Sequence, residues 1–483
     1  DNNVMLSVEE VETAMHALKC NKSPGNDGLC AEHLQHAGGR LPFLLTKLFN
    51  GCLIHGFVPN DFGTSVIVPV PKGDISKTKA FDGYRPVSLI SIASKLFEMC
   101  LLVHLSKIIV SDDLQFGFTS GKGCQKALFV LNSIIEHFNE RGSNVYVAGL
   151  DVSKAFDSVN HYGLFVKMMD VGVPLCILNV FVNWYSKLSG SVRWAGLMSS
   201  VFLMKSGVRE GSIVSPLLFS LYINDIIKLL RSEGYGCYIG NVFAGCLLFA
   251  DDILLLSGSL LQLQCMLDMS FDYCVKWDLV LNVKKSNVIV IGRDDESMLP
   301  AMKLGLDLLN WVKEIRYLGV FVKSHKGLWV NVDTNCRKFL GAAFAILQRC
   351  GKLSEELQCH IILTKCLPIL TYGLECFNLF GYQKQKLCVT LNTVFRRIFK
   401  VSRRTSVRHL IVNFGSKPCD ILLDEKYYLL LMSCLSSECD VIRLCGSLCM
   451  QSDYVCRIRM NYSVNEWMSY ASVRKCFYDF VSV

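Results

Sequence analysis

Apolar and polar positions follow two different periods along this chain, and the places where the period changes predict a mixed set of helices and strands. Ser7-VEEVETAMHALK carries apolar residues at Val8, Val11, Met15 and Leu18, the spacing of one helix face, with Ser7 at the cap and Glu10 three residues on to close a capping box. The turn residues of Asn21-KSPGNDGL end that helix. Helical spacing returns over 41–55 and 92–109. Between them, Ser65-VIVPVPKGD reads as an edge or hairpin strand, because its Pro residues cannot donate to a ladder. Asn144-VYVAGLDVSKAF is a β-rich run that delivers Asp151 at or near its end. From Ser206 a Gly-rich loop gives way to a strongly apolar helix, with Ser215 at the cap and Pro216 at the first helical position. Cys246-LLFADDILLLSG predicts strand, tight turn, strand. A helix over 260–277, a strand over 279–291 and another at Ile315-RYLGVFV follow, and beyond about residue 330 the pattern is mainly helical.

Composition sharpens this picture without changing it. At 483 residues, with 51% apolar and 19% charged, the chain is folded for most of its length and has room for two to four units of about 100–200 residues each. No apolar run reaches about 18 residues without a charge, a Pro or a turn signal, so no membrane span is expected. The nearest candidates, Phe43 to Val58 and Ile361 to Phe380, are both interrupted. The 23 cysteines are odd in number and irregularly spaced, and no signal peptide is seen; both point to an intracellular, reducing compartment. Cys439, Cys445, Cys449 and Cys456 raise the alternative of a zinc site. No His follows His409 and no Cys-x₂-Cys pair lies there, which favours buried thiols. The chain starts at Asp1 without Met and reads as a fragment.

A net charge of +8 permits a nucleic-acid partner without demanding one. The excess gathers in Phe395-RRIFKVSRRTSVRHL, where Arg396, Arg397, Lys400, Arg403, Arg404 and Arg408 occur with no acid and with Phe395 and Phe399 interleaved. A solvated helix face and a phosphate-contacting surface are both open readings.

The sharpest chemical signal is Asp251-Asp252, two acids between apolar arms. At a hairpin turn they can splay toward one cleft, and like charges that close raise one another's pKa unless a cation lies between them. An oxygen-only cluster with few protein ligands suits Mg²⁺, which keeps waters and takes further ligands from phosphate. Asp151, at the end of its own apolar strand, is the natural third acid. Two ions about 3.5–4 Å apart would serve nucleotidyl transfer.

Nine segments in one order then resemble the reverse transcriptases of non-LTR (LINE-type) retrotransposons: NKSPGNDGL (21–29), VIVPVPKGD (66–74), YRPVSLISIASKLFE (84–98), LQFGFTSGKG (114–123), GLDVSKAFDSVNH (149–161), GVREGSIVSPLLFSLYINDI (207–226), FADDILLLSG (249–258), LVLNVKKS (279–286) and RYLGVFV (316–322). Each alone is weak, and their shared order makes the resemblance specific. It implies an α+β right-hand polymerase fold of fingers, palm with an antiparallel sheet and helical thumb, followed by a mainly helical C-terminal region. The boundaries implied are 1–145 for an N-terminal extension and fingers, 146–300 for the palm with fingers insertions, 301–415 for a primer-grip hairpin and helical thumb, and 416–483 for a C-terminal region of unknown role.

The resemblance also implies residue roles. Asp151 and Asp251, with the Val152 carbonyl, would hold two Mg²⁺ ions, Mn²⁺ substituting, with Asp252 nearby and less central. Lys72 and Arg85 would clamp the triphosphate, with Gly211 beside the nucleotide. Phe156 would exclude a ribose 2′-hydroxyl, and Lys285 would protonate departing pyrophosphate. Arg209 and Ser212, the Tyr317-Leu318-Gly319 turn, and Arg396, Arg397, Arg403 and Arg404 would contact template and primer. Thr371-YGLECF resembles the family's thumb motif, and His161 is read as structural. In one place the chain departs from the pattern: Glu210 replaces the usual Gln, and its carboxylate would repel template phosphate unless Arg209 pairs with it. The implied activity is RNA-directed DNA polymerisation in target-primed reverse transcription, with RNA template, DNA primer or target DNA, and dNTPs as partners, and the resemblance would place the reducing compartment as nuclear and cytoplasmic. A maturase-like cellular reverse transcriptase and a domesticated or decayed copy that only binds RNA are the alternatives.

Overall fold

A computed structural model of the chain describes residues 4–73, 83–293, 299–324, 327–465 and 467–482, so Asp74, the last residue of the second matched segment, lies outside the described residues. The chain divides into two compact units, one built from Asp1–Phe118, Val152–Leu229 and Ser270–Asn282, the other from Thr119–Asp151, Leu230–Met269 and Val283–Val483.

In the first unit the Ser7 hydroxyl accepts from the Glu10 amide at 3.1 Å and the Glu10 carboxylate accepts from the Ser7 amide at 2.7 Å. The capping box therefore forms, and helix Val8–Ala17 begins where its sequence says it should. It packs against Leu41–His55 and Ile92–Ile108. Beneath these helices Phe49 and Phe97 stack at 4.8 Å, and Phe97 stacks on Trp184 at 5.7 Å. Such pairs add about 0.5–1.5 kcal/mol beyond the area they bury. Strand Thr64–Pro71 pairs antiparallel with Tyr84–Ile90, and its first four residues also pair parallel with Ser189–Trp194. The expected edge or hairpin strand is thus paired antiparallel along its length, internal at its start and an edge where Pro69 and Pro71 lie. Each Pro occupies a position where the missing N–H leaves no second neighbour unsatisfied.

In the second unit residues Val145–Asp151 of strand Val145–Ser153 run between Asp252–Ser257 and Asn287–Ile291 and are antiparallel to both. Its core-facing residues and those of Asp252–Ser257 are almost continuously apolar because both faces are covered: Val145, Val147, Ala148, Leu150, Ile253, Leu254, Leu255 and Leu256 are all buried. Two expected strands are each divided. The run 279–291 is Val280–Leu281 and Asn287–Ile291 with a turn over 283–285, where adjacent Lys residues favour solvent over a ladder. Ile315-RYLGVFV is a hairpin, Glu314–Tyr317 against Val320–Lys323, turned by Leu318 and Gly319 with φ of 45° and 84°. Two consecutive positive φ values make the mirror-image turn that suits a twisted hairpin.

Beyond strand Trp329–Val330 the described residues of this unit are mainly helical, including Asp333–Cys350, Gly381–Ile398, Cys419–Leu435 and Asp440–Met450. Cys439, Cys445 and Cys449 are buried, with the Cys449 sulfur 3.3 Å from the Ser133 hydroxyl, while Cys456 is exposed. Among the described residues no helix is long and apolar enough to cross a membrane.

Candidate active site

The register of two strands gathers the carboxylates. Asp252 is the first residue of its strand and lies directly opposite Asp151, and residues opposite one another in an antiparallel pair project from the same face. Asp252 also pairs back to Phe249, which leaves Ala250 and Asp251 as the turn, Ala250 at a φ of 55°. Asp252 therefore belongs to the centre of the cluster as much as Asp251 does. Both residues remain accessible to solvent, yet surrounding protein strips enough water to push the Asp252 carboxyl up to about 6, with Asp251 and Asp151 adding to the rise and Arg316 opposing it. Lys285 lies in the turn at 283–285 with its ammonium 3.5 Å from the Asp151 carboxylate. That pair is largely solvated, so it orients more than it stabilises. The Asp151 amide donates to the Ser286 hydroxyl at 3.1 Å.

The donor chemistry here suits a hard divalent cation: carboxylate oxygens that repel one another and are open to water on one side. Among the described residues no three His, Cys, Asp or Glu side chains form a cage sufficient to hold a metal ion alone. Mg²⁺ tolerates such a site because it retains waters and binds substrate phosphate.

The first unit carries the residues expected around a nucleotide. Arg85 lies opposite Val70 in the strand pair, and Lys72 follows just past the end of the partner strand, its amide donating to the Gly83 carbonyl at 2.8 Å, which keeps the two cations at the same end of that pair. Both are exposed. Burial pushes the Asp157 carboxyl up, and the charges of Lys154 and then Lys72 work against it, which sets Lys72 near the short helix Ala155–Ser158 that carries Phe156. The Phe156 ring stacks on Phe219 at 4.8 Å and meets Phe118 edge-on at 6.1 Å, while its carbonyl accepts from the Val208 amide at 2.7 Å. A ring held on two sides is a fixed obstacle. His161 bonds the Gly207 carbonyl at 2.9 Å and meets Tyr185 edge-on, a structural role. A cavity of about 610 Å³ beside this helix is lined by Lys154, Asp157, His161, Tyr162, Lys205 and Asp278 among others. It is not the expected nucleotide site, since none of Lys72, Arg85 and Phe156 lines it.

Arg209 and Ser212, expected at template and primer, are instead 4% and 8% exposed. Arg209 bonds Glu98 at 3.1 Å and the Phe62 carbonyl at 2.8 Å, and the Ser212 hydroxyl donates to Glu98 at 2.9 Å. Arg209 therefore forms its ion pair with Glu98, whose burial demands a cation, in place of the pairing with Glu210 that sequence suggested. Gly211 stays exposed between them. A Cβ there would lie 2.3 Å from the Ser88 carbonyl oxygen, and its φ is 128°. Gly211→Ala is expected to lower stability by about 1–3 kcal/mol through strain alone, read as a lower urea midpoint; an unchanged midpoint would mean the loop shifts freely.

In the second unit Tyr317, expected to touch primer, is 4% exposed, and its hydroxyl has no hydrogen-bond partner among the described residues. Strand alternation buries it with Ile315 and exposes Arg316 between them, so Arg316 is the charged group directed to solvent near Asp252. It was missed, although its place between two apolar residues in a strand was a readable signal. The Leu318-Gly319 turn is held from outside: the Tyr372 hydroxyl donates to the Leu318 carbonyl at 3.1 Å, and a Cβ on Gly373 would lie 2.5 Å from the Val320 side chain. The Thr371-YGLECF segment thus braces the turn. Among the basic residues, Arg397, Arg403 and Arg404 are exposed, whereas the Arg396 guanidinium donates to the Thr405 carbonyl at 2.9 Å. The helix ends at Ile398 and Lys400 takes a φ of 54°, so Arg403 and Arg404 lie in a loop and share no helix face with Arg397.

Residues 70–322 match the family described as reverse transcriptase (RNA-dependent DNA polymerase). The chain is 27% identical over 282 residues to the retrovirus-related Pol polyprotein from the type-2 retrotransposable element R2DM of Drosophila melanogaster, covering 58% of this chain and 26% of that protein. It is 28% identical over 332 residues to the RNA-directed DNA polymerase from mobile element jockey of Drosophila funebris, covering 66% of this chain and 35% of the relative. The chain thus spans about a quarter to a third of the length of these relatives. Among solved structures, apo telomerase from Candida tropicalis truncated from its C-terminal domain is similar at 13% identity over 60% of each chain, with a TM-score of 0.39.

Proposed function

Because this chain belongs to the reverse transcriptase (RNA-dependent DNA polymerase) family, of the LINE type, and has its right-hand α+β fold, we propose that it extends a DNA primer 3′-hydroxyl with dNTPs on an RNA template, as the polymerase part of a protein that performs target-primed reverse transcription. The observation that carries this reading is the cross-strand meeting of Asp151 and Asp252 with Asp251 in the adjoining turn.

Reverse transcriptases use divalent metal ions. Here Asp151 and Asp251, with the Val152 carbonyl, would hold two Mg²⁺ ions, or Mn²⁺ in their place. When bound, such ions activate the attacking hydroxyl and neutralise charge on the leaving pyrophosphate. Lys72 and Arg85 grip triphosphate oxygens through charge-assisted hydrogen bonds, and the Gly211 backbone lies beside the nucleotide. Phe156 excludes a 2′-hydroxyl. Lys285 gives a proton to the pyrophosphate, a role that needs only charge and reach. The Leu318-Gly319 turn supports the primer end, and Arg397, Arg403 and Arg404 contact duplex phosphate. Residues 1–145 serve as N-terminal extension and fingers, 146–300 as palm with fingers insertions, and 301–415 as primer-grip hairpin with thumb. The protein works where RNA and target DNA both occur, in nucleus and cytoplasm.

Primer extension on an RNA template with Mg²⁺ or Mn²⁺ is the test, with dNTP incorporation expected. Folded wild-type protein that incorporates nothing with either ion, while retaining salt-sensitive RNA binding, would leave an RNA-binding protein and overturn the reading.

A further inference from the structure

Glu98 is a carboxylate with 1% exposure in helix Ile92–Ile108, and three donors from one short loop converge on it. Arg209 and the Ser212 hydroxyl donate to one oxygen at 3.1 and 2.9 Å, and the Ile213 amide donates to the other at 2.7 Å. Burial pushes its pKa up, and Arg209 leads the groups that work against that rise. The second arm of Arg209 donates to the Phe62 carbonyl, which also accepts from the Trp184 indole at 2.9 Å. Between these anchors the Glu210 carbonyl accepts from the Ser88 amide at 2.6 Å, and Gly211 closes on the Ser88 carbonyl. Ser88 lies in strand Tyr84–Ile90, three residues after Arg85.

The energetic balance suggests why an ion pair occupies this position. A buried carboxylate and guanidinium lose several kcal/mol of hydration each, and replacing such a pair by apolar side chains of similar volume is often neutral or stabilising. Stability alone therefore does not call for it. Directional bonds do something apolar packing cannot: they fix the backbone path of 209–213 against the strand that carries Arg85.

We infer that Glu98 is a positioning residue for the incoming nucleotide, holding loop 209–213 in register with strand Tyr84–Ile90 so that the Gly211 backbone and the Arg85 guanidinium meet the same triphosphate. This rests on the nucleotide roles given to Arg85 and Gly211 above. Glu98 touches no reacting atom and acts through the loop.

The test compares the full chain with Glu98→Gln and with the double variant Glu98→Leu/Arg209→Met, which removes the charge pair and keeps the volume. In the double variant the melting temperature is expected to stay near wild type, while KM for dNTP rises roughly tenfold with a smaller change in kcat. Hydrogen exchange of the Ser212 and Ile213 amides should quicken in both variants without substrate. A wild-type KM and wild-type exchange in a stable double variant would overturn the inference, and so would a double variant that fails to fold, since Glu98 would then be purely structural. Should wild-type protein incorporate no dNTP, the polymerase reading falls by itself; exchange then decides, faster exchange upholding the loop-positioning role and unchanged exchange overturning it.

Discussion

Asp251→Asn lowers dNTP incorporation by about 10³-fold, and Asp151→Asn does the same, with the fold intact. Losing one charged group that stabilises developing transition-state charge costs on the order of 10²–10³ in rate, and a carboxylate that also holds the metal belongs at the top of that range. Asp151 comes from a strand and Asp251 from the turn that leads into the neighbouring strand, so neither can replace the other. Asp252→Asn is expected to cost only about tenfold, because its role is to shape the field between the other two. Removing one of three mutually repelling acids should leave the melting temperature without divalent ion equal to or above wild type, which separates lost chemistry from lost structure. Single-nucleotide incorporation at saturating Mg²⁺ reads the rates. Equal incorporation by Asp251→Asn and wild type sinks the site assignment; equal losses at Asp251 and Asp252 sink the division between them.

The carboxylates were legible because their signal is local. Each acid interrupts an apolar run of one strand, and a strand pair can bring two such interruptions together with no further instruction from distant sequence. Helix Val8–Ala17 was legible for a similar reason, since Ser7 and Glu10 make their cap between themselves. Arg209 was misread because its partner lies 111 positions away in a helix, and a lone Arg in a Gly-containing loop looks the same whether it meets phosphate or a buried carboxylate. Tyr317 was misassigned for want of the hairpin register: a motif names residues, and only alternation along the strand says which of Arg316 and Tyr317 faces outward. The divided strand over 279–291 shows the limit of apolar counting, because Lys284 and Lys285 interrupt the ladder more strongly than the flanking Val and Ile residues extend it. The brace supplied by Tyr372 was hidden in the same way as Arg209, since it joins two segments 54 positions apart.

Phe156→Val should relax sugar selection, raising ribonucleotide incorporation relative to dNTP by roughly 10–200-fold, the range a steric contact of one small group commands in a substrate pocket. The reason lies in how the ring is held. Stacked on Phe219 and met edge-on by Phe118, it has little room to swing away from an added hydroxyl, so the substrate bears the clash. Val removes the outer part of the ring and leaves the backbone bond from the Val208 amide to the Phe156 carbonyl untouched. The loss of both ring contacts costs about 0.5–1.5 kcal/mol each beyond the apolar area involved, part of which Val retains, so the melting temperature of the variant is measured alongside. Unchanged discrimination between rNTP and dNTP, measured as a ratio of kcat/KM values in single-nucleotide extension, would return Phe156 to the role of a packed core aromatic and move sugar selection elsewhere. A matched variant, Phe118→Ala, distinguishes ring position from ring presence: with its outer support gone the Phe156 ring gains freedom, and rNTP use should rise by less than in Phe156→Val.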